Sequence, residues 1–306
     1  MDKSLPQNEQ NDFVSLLQFF KILNKHKIYI FVGTLLFSIM SVFYSLSLPN
    51  KFSSEASLKV MLNQDSQESR SYGGISSLIG LSNSSNNDAE MLKSMILSKS
   101  FAKNLITHAG VLESIIATKS YDNKSRSLIY DDEIYDHEKK QWVRDVSYPF
   151  SKIPSYLELH NAYIDFLKVN INELSGLMEI SFTHISPEFA HYFVNLVVTE
   201  ANLLMKNKHE KESDKALEYL NKELAKSTKL EVKKAIGSIV ETQLKKQMVI
   251  KISDEYALNT VNASFIPELK SSPNRAFICI LGTFIGFIMS IFSIMIYEFY
   301  ISNKYR

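Results

Sequence analysis

The sequence predicts an α+β membrane protein: two transmembrane helices flank an extracytoplasmic α/β domain that carries a long, extended, coiled-coil-like helix. Three observations predict it. Two charge-free apolar blocks lie near the two ends of the 306-residue chain. Between them, short runs alternate apolar and polar residues with the period of a half-buried strand. Later in the same region, neither Gly nor Pro occurs from Glu188 to Ile236.

The first block is IYIFVGTLLFSIMSVFYSLSL, residues 28–48, and no charge falls between Lys27 and Lys51. The second is AFICILGTFIGFIMSIFSIMIY, residues 276–297, bracketed by Arg275 and Glu298. At the helical rise each reaches roughly 30 Å, the thickness of a bilayer core. Buried core helices would keep a polar stripe, and these blocks hold only scattered Ser, Thr and Tyr. Ser45 and Ser47 would satisfy a signal-peptidase site, but the apolar run exceeds the usual ~7–15 residues of a signal sequence. An uncleaved anchor is expected. Lys21, Lys25 and Lys27 precede the first span, and Lys304 and Arg306 follow the second. Positive flanks stay cytoplasmic, so these lysines set the topology. The expected layout is a cytoplasmic segment 1–27, a span 28–48, an extracytoplasmic domain 49–275, a span 276–297 and a cytoplasmic tail 298–306. Gly282 and Gly286 form a small-xxx-small pair on one face of the second span, suited to close helix packing. The alternative is a pair of lipid-facing glycines.

Within the long loop, Ala56, Leu58, Val60 and Leu62 alternate with polar or flexible residues and predict a strand. Residues 72–88, YGGISSLIGLSNSSNND, read as a flexible loop; no Gly-Lys-Ser/Thr follows its glycines, so it is no phosphate loop. From Asp88 to Ala117 the spacing of Met91, Leu92, Met95, Ile96, Phe101, Leu105 and Ile106 predicts one or two amphipathic helices. The segment 121–154 reads as irregular. Met178, Ile180 and Phe182 predict a second strand ending near Thr183.

A long helix then begins, with Ser186 as cap, Pro187 at the first position and Glu188 at the positive end. The pattern runs from 187 to about 250, a rod of about 95 Å, with Gly237 its weakest point. The stretch KNKHEKESDK, residues 206–215, is polar all round. Leu217, Leu220 and Leu224 restore an apolar stripe, which packs either between subunits or against the returning chain of the same subunit. That return is a strand over Val261–Ile266, then a link through Pro267 and Pro273 into the second span.

Composition narrows the chemistry. Lys and Arg total 34 against 33 Asp and Glu, a net charge of +1. A nucleic-acid binder would show a basic excess, and a disordered acidic tail protein an acidic one. The single cysteine, Cys279, excludes an intramolecular disulfide framework and a multi-Cys zinc site. The histidines are scattered, with His184 and His191 straddling a helix start. The acidic group Asp131, Asp132, Glu133, Asp136 and Glu138 lies beside Lys139 and Lys140 and reads as a solvated loop. No catalytic, cofactor or metal site is expected, and the chain reads as a non-enzyme.

In order and spacing these pieces resemble the polysaccharide co-polymerases, specifically the Wzz-type O-antigen chain-length determinants. The front, FVSLLQFFKILNKHKIYIFVGTLLFSIMSVFYSLSLPNKFSSEASLKV, resembles the family's short cytoplasmic helix, basic stop, span and first strand. YGGISSLIGLS with AEMLKSMILSKSFAKNLI resembles its glycine-rich segment and following helix. LMEISFTHISPEFAHYFVN resembles its strand, Ser-Pro turn and long helix, and IPELKSSPNRAFICILGTFIGF its approach to the last span. That approach departs from the family in holding only Pro267 and Pro273. The resemblance implies an α/β base, a long helix in the periplasm of an inner-membrane protein, and a ring-like homo-oligomer. It implies control of the chain-length distribution of a lipid-linked glycan, such as the O-antigen of lipopolysaccharide, in partnership with a membrane polysaccharide polymerase. Longer relatives carry a tyrosine-kinase domain with a phosphate loop; none is expected in the short tail after Tyr297. Two other readings remain: an adaptor for a separate tyrosine kinase or export system, and a two-span ligand sensor, for which the segments 1–27 and 298–306 are short.

Overall fold

The computed structural model describes residues 23–62 and 85–304. Lys21, the rest of the cytoplasmic segment up to residue 22, and residues 72–84 of the glycine-rich stretch 72–88 lie outside the described residues; the last four residues of that stretch, expected as loop, begin a helix instead. The chain divides into two compact units, one formed by its two ends, up to Asn50 and from Ser271, and one by Lys51–Lys270.

The elements run in this order. A helix α1 (Lys27–Ser47) precedes strand β1 (Phe52–Val60). Three short helices follow, α2 (Ser85–Ile96), α3 (Lys99–Leu105) and α4 (Val111–Ile116). Then come strands β2 (Thr118–Asp122), β3 (Ser127–Tyr130), β4 (Tyr135–Asp136) and β5 (Gln141–Trp142). Helix α5 (Tyr156–Tyr163) leads into β6 (Leu167–Ile171) and β7 (Leu177–His184). Helices α6 (Pro187–Lys226) and α7 (Leu230–Ile252), strand β8 (Leu258–Asn262) and helix α8 (Arg275–Lys304) complete the chain. This is the α+β class expected, with two apolar terminal helices and a long helix between them.

In the unit Lys51–Lys270, four strands form an antiparallel sheet in the order β6-β7-β1-β8. β1 and β7 pair from Phe52↔His184 to Lys59↔Leu177. Their alternation works as period two requires: Ser54, Ala56 and Leu58 of β1 and Met178, Ile180 and Phe182 of β7 are buried on one face. The first half of α6 packs on that face, and α2, α3 and α5 add Leu92, Ile96, Phe101, Leu105, Leu159 and Tyr163 to the same core. Phe182 and Phe193 meet at 4.2 Å between ring centroids at its centre. Burying each such ring is worth roughly 1.5–3 kcal/mol.

Several expectations are corrected. The region 88–117 holds three helices rather than one or two; the Ser98 hydroxyl, accepting the Phe101 N–H, caps a fresh helix after α2. The segment 121–154 is not irregular throughout, since β2–β3 and β4–β5 are two small hairpins. α5 and β6 add to the expected elements, with Leu167, Val169 and Ile171 alternating as β7 does. The returning strand is Leu258–Asn262 rather than Val261–Ile266. The long helix ends at Lys226, and α7 runs back beside it, so the rod of 187–250 is replaced by a helical hairpin. The break falls at Ser227–Thr228, not Gly237. Ser and Thr compete for backbone hydrogen bonds and favour helix ends; Gly237 costs about 1 kcal/mol inside a helix and is tolerated. In the other unit, α8 continues past Tyr297 to Lys304.

Candidate functional site

The two terminal helices meet along a seam of small residues. They run antiparallel: a Cβ on Gly33 would overlap Ser290 Oγ, one on Gly282 would overlap Ser41 Oγ, and one on Gly286 would overlap Phe37 Cβ. Such clearance exists because glycine lets the backbones close in. Two interhelical hydrogen bonds use the proximity. The Ser41 hydroxyl donates to the Ile278 carbonyl at 3.0 Å, and the Thr283 hydroxyl to Ser38 Oγ at 3.2 Å. In hydrocarbon, where apolar side chains gain nothing by meeting, close packing and hydrogen bonds of this kind hold helices together. The outward side chains are large and apolar, among them Phe31, Leu36, Met40, Phe43, Phe277, Ile280, Phe284 and Phe292. A soluble core helix would bury such residues; here nearly all of both helices is exposed, in keeping with spans. Lys25 and Lys27 sit exposed at the start of α1.

The helical hairpin is the second assembly. Gln247 Nε2 donates to Asp214 Oδ1, Lys251 Nζ lies 3.8 Å from Glu210 Oε1, and Lys206 Nζ donates to the carbonyls of Lys251 and Ser253. Leu217 is buried, and Leu220 and Leu224 are half-buried. Their spacing from Glu210 and Asp214 places the stripe on the face that α7 covers. Ile236, Val240 and Ile250 line α7 on its more covered side, while Leu244, Met248 and Ile252 stay exposed.

The return of the chain is fixed by one buried amide that sequence reasoning missed. Asn202 Oδ1 accepts the N–H groups of Ala257 and Leu258, each at 2.8 Å, and its Nδ2 donates to the Leu258 carbonyl at 3.0 Å. The signal was present: Asn202 is a polar residue on the apolar face that includes Val198, Ala201 and Met205. Beyond β8, Ser264 Oγ bonds His191 Nδ1 and donates to Asn195 Oδ1, and the Ser54 hydroxyl donates to the Phe265 carbonyl. Pro267 is buried in the same unit; Pro273 is half-buried in the other.

Other polar groups have local duties. The His184 Nδ1 accepts the Ser186 N–H at 3.1 Å, so its Nε2–H donates to the Ser114 carbonyl at 3.0 Å. Burial pushes the His184 imidazole down to about 4. Arg144 donates to the carbonyls of Ser151 and Lys152 and to Glu158, and that hydrogen bond holds the Glu158 carboxyl below its ordinary range. In the acidic loop, Asp131 accepts the Glu133 N–H and Asp136 pairs with Lys139. Among the described residues no group of three or more His, Cys, Asp or Glu is placed to hold a metal ion.

Two apolar helices long enough to cross a bilayer, joined by a small-residue seam, with an α/β domain and helical hairpin between them in sequence, define a class: a mixed α/β chain with the pattern of a two-span membrane protein. Residues 12–108 match the family model Wzz, chain length determinant protein. The resemblance read from the front of the sequence is thereby shown for that stretch. No curated protein matches the chain significantly. A solved structure described as a full-length bacterial polysaccharide co-polymerase aligns at 12% identity and a TM-score of 0.38, over 91% of this chain and 96% of its own. A fragment of WzzB, a polysaccharide co-polymerase from Salmonella Typhimurium, aligns at 13% identity and a TM-score of 0.25, over 73% of this chain and all of its own.

Proposed function

We propose that this chain regulates the chain-length distribution of a lipid-linked surface polysaccharide, without catalysing a step itself, as an oligomeric scaffold beside a membrane polymerase. One observation carries the reading: the chain-length-determinant match spans α1, β1, α2 and α3, the stretch that joins a helix of bilayer length to the sheet and core of the domain. The small-residue seam and the helical hairpin support it, since both are devices for packing. Under this reading the protein is a homo-oligomer of the inner membrane with both termini cytoplasmic and Lys51–Lys270 in the periplasm. Length is then set by geometry: the reach of the hairpin, contacts between subunits, and the grip on polymerase or growing glycan. Deletion, followed by gel separation of the surface polysaccharide, tests it. The expected result is loss of the preferred length class, restored by the gene in trans; an unchanged ladder overturns the proposal.

A further inference from the structure

Three segments far apart in sequence converge on one end of the four-stranded sheet. Phe52 pairs with His184, so β1 starts where β7 ends. The Lys51 ammonium stands 4.3 Å above the centroid of the Phe166 ring, and the Phe166 carbonyl accepts the N–H of Thr183 on the same end of β7. From the other side, the Ser54 hydroxyl holds the Phe265 carbonyl beside the first residues of β1. Phe166 is 38% exposed, Phe265 58%, Ile266 50% and Leu269 84%. Phe166 and Phe265 thus lie exposed at this end of the sheet, and Ile266 and Leu269 follow Phe265 in the chain; large apolar side chains left in water mark a contact surface.

The occupant follows from the chain itself. Lys51 comes four residues after Ser47, the last residue of α1. Four extended residues reach at most about 14 Å, against a headgroup layer of roughly 5–8 Å on each side of the hydrocarbon. A lysine over an aromatic ring, with further exposed apolar side chains in the segment from Phe265 to Leu269, has the composition of a membrane-interface belt, where rings sit at headgroup level and lysine stems lie along apolar surface. The other end of β1 and β7, at Lys59 and Leu177, is about 25 Å away, and the β6–β7 turn beyond it exposes the isolated Leu174.

We propose that Lys51, Phe166, Phe265, Ile266 and Leu269 form a lipid-interface anchor that seats this end of the domain in the headgroup region of the bilayer. The proposal rests on α1 and α8 being membrane spans, and the test separates the two. The full-length protein is reconstituted into phosphatidylethanolamine–phosphatidylglycerol vesicles whose acyl chains carry bromine either near the headgroup or near the chain end. Trp142 is the sole tryptophan, so Trp142→Phe provides a dark background; if that variant accumulates poorly, Trp142 is kept and its emission subtracted. Reporters are Phe166→Trp, Phe265→Trp, Leu174→Trp and, within the second span, Phe284→Trp. Phe166→Trp and Phe265→Trp are expected to lose most of their emission to bromine near the headgroup. Leu174→Trp should lose none, and Phe284→Trp should be quenched by bromine near the chain end. If Phe284→Trp is quenched and Phe166→Trp is not, the anchor is overturned while the span reading stands. A blue-shifted but unquenched Phe166→Trp shows a protein partner on the patch and also overturns it. Quenching of Leu174→Trp to the same degree removes the specificity claimed, and an unquenched Phe284→Trp removes the spans and the anchor together.

Discussion

His184 is a residue whose protonation state is written into its hydrogen bonds. Its Nδ1 takes the Ser186 N–H, so it can accept no proton without losing the bond that orients the start of α6. Burial lowers its folded pKa to about 4 from an ordinary 6.5. A depressed histidine favours the fold above the unfolded pKa. That contribution is lost as the pH falls from 6.5 toward 4, because the unfolded chain takes up the proton first. The full shift corresponds to no more than about 3 kcal/mol. Thermal unfolding of purified protein between pH 7 and pH 4.5 should therefore show a falling Tm, and His184→Gln should flatten that fall while lowering the Tm at pH 7. Equal slopes for the two proteins would rule the role out. Gly282 and Gly286 are the other residues with a sharp expectation. A leucine at either must push Ser41 or Phe37 aside, and overpacking of this kind costs typically about 1–3 kcal/mol. In a Cys279→Ser background, crosslinking between Ser41→Cys and Ile278→Cys should be efficient, and should drop when Gly282→Leu and Gly286→Leu are added. A shift in glycan length should accompany the drop.

At the scale of the element, the hairpin of α6 and α7 offers the leucine stripe a covering surface within its own subunit. A forty-residue helix with a polar waist cannot bury a stripe alone, and α7 supplies the covering surface. Leu217→Glu places a charge on that buried face and forfeits roughly 1.5–3 kcal/mol of apolar burial, about a tenfold or greater rise in the opened population. Limited trypsin digestion should then cut faster around Lys226 and Lys229. Leu220→Glu, half-buried, should do the same more weakly. If protease sensitivity stays unchanged while the oligomer shifts, the stripe joins subunits instead.

For the whole molecule the testable quantity is topology. Lys25 precedes α1 and Lys27 opens it, and Lys51–Lys270 form one compact unit. Reporter fusions at Asn8 and Asn303 should give cytoplasmic signals, and one at Asn123, in the turn between β2 and β3, a periplasmic signal. A cytoplasmic signal at Asn123 refutes the layout.

The sequence by itself determined what depends on local composition and period. Charge-free runs of bilayer length, the alternation around Leu58 and Ile180, and the Ser186-Pro187-Glu188 helix start are each legible within a few residues, because solvent preference and backbone geometry act locally. The front of the chain also carried its family resemblance in order and spacing. What only the tertiary structure decided depends on partners distant in sequence. That Gly282 faces Ser41, that Asn202 clamps Leu258, and that the long helix ends at Lys226 so that α7 can return along it are all settled by which surfaces meet. Gly237 shows the limit most plainly. Propensity makes it the weakest point of the helix, yet the chain turns at Ser227–Thr228. A turn there lays Leu217 and Ile250 on covered faces, and burial outweighs the roughly 1 kcal/mol that a glycine costs inside a helix.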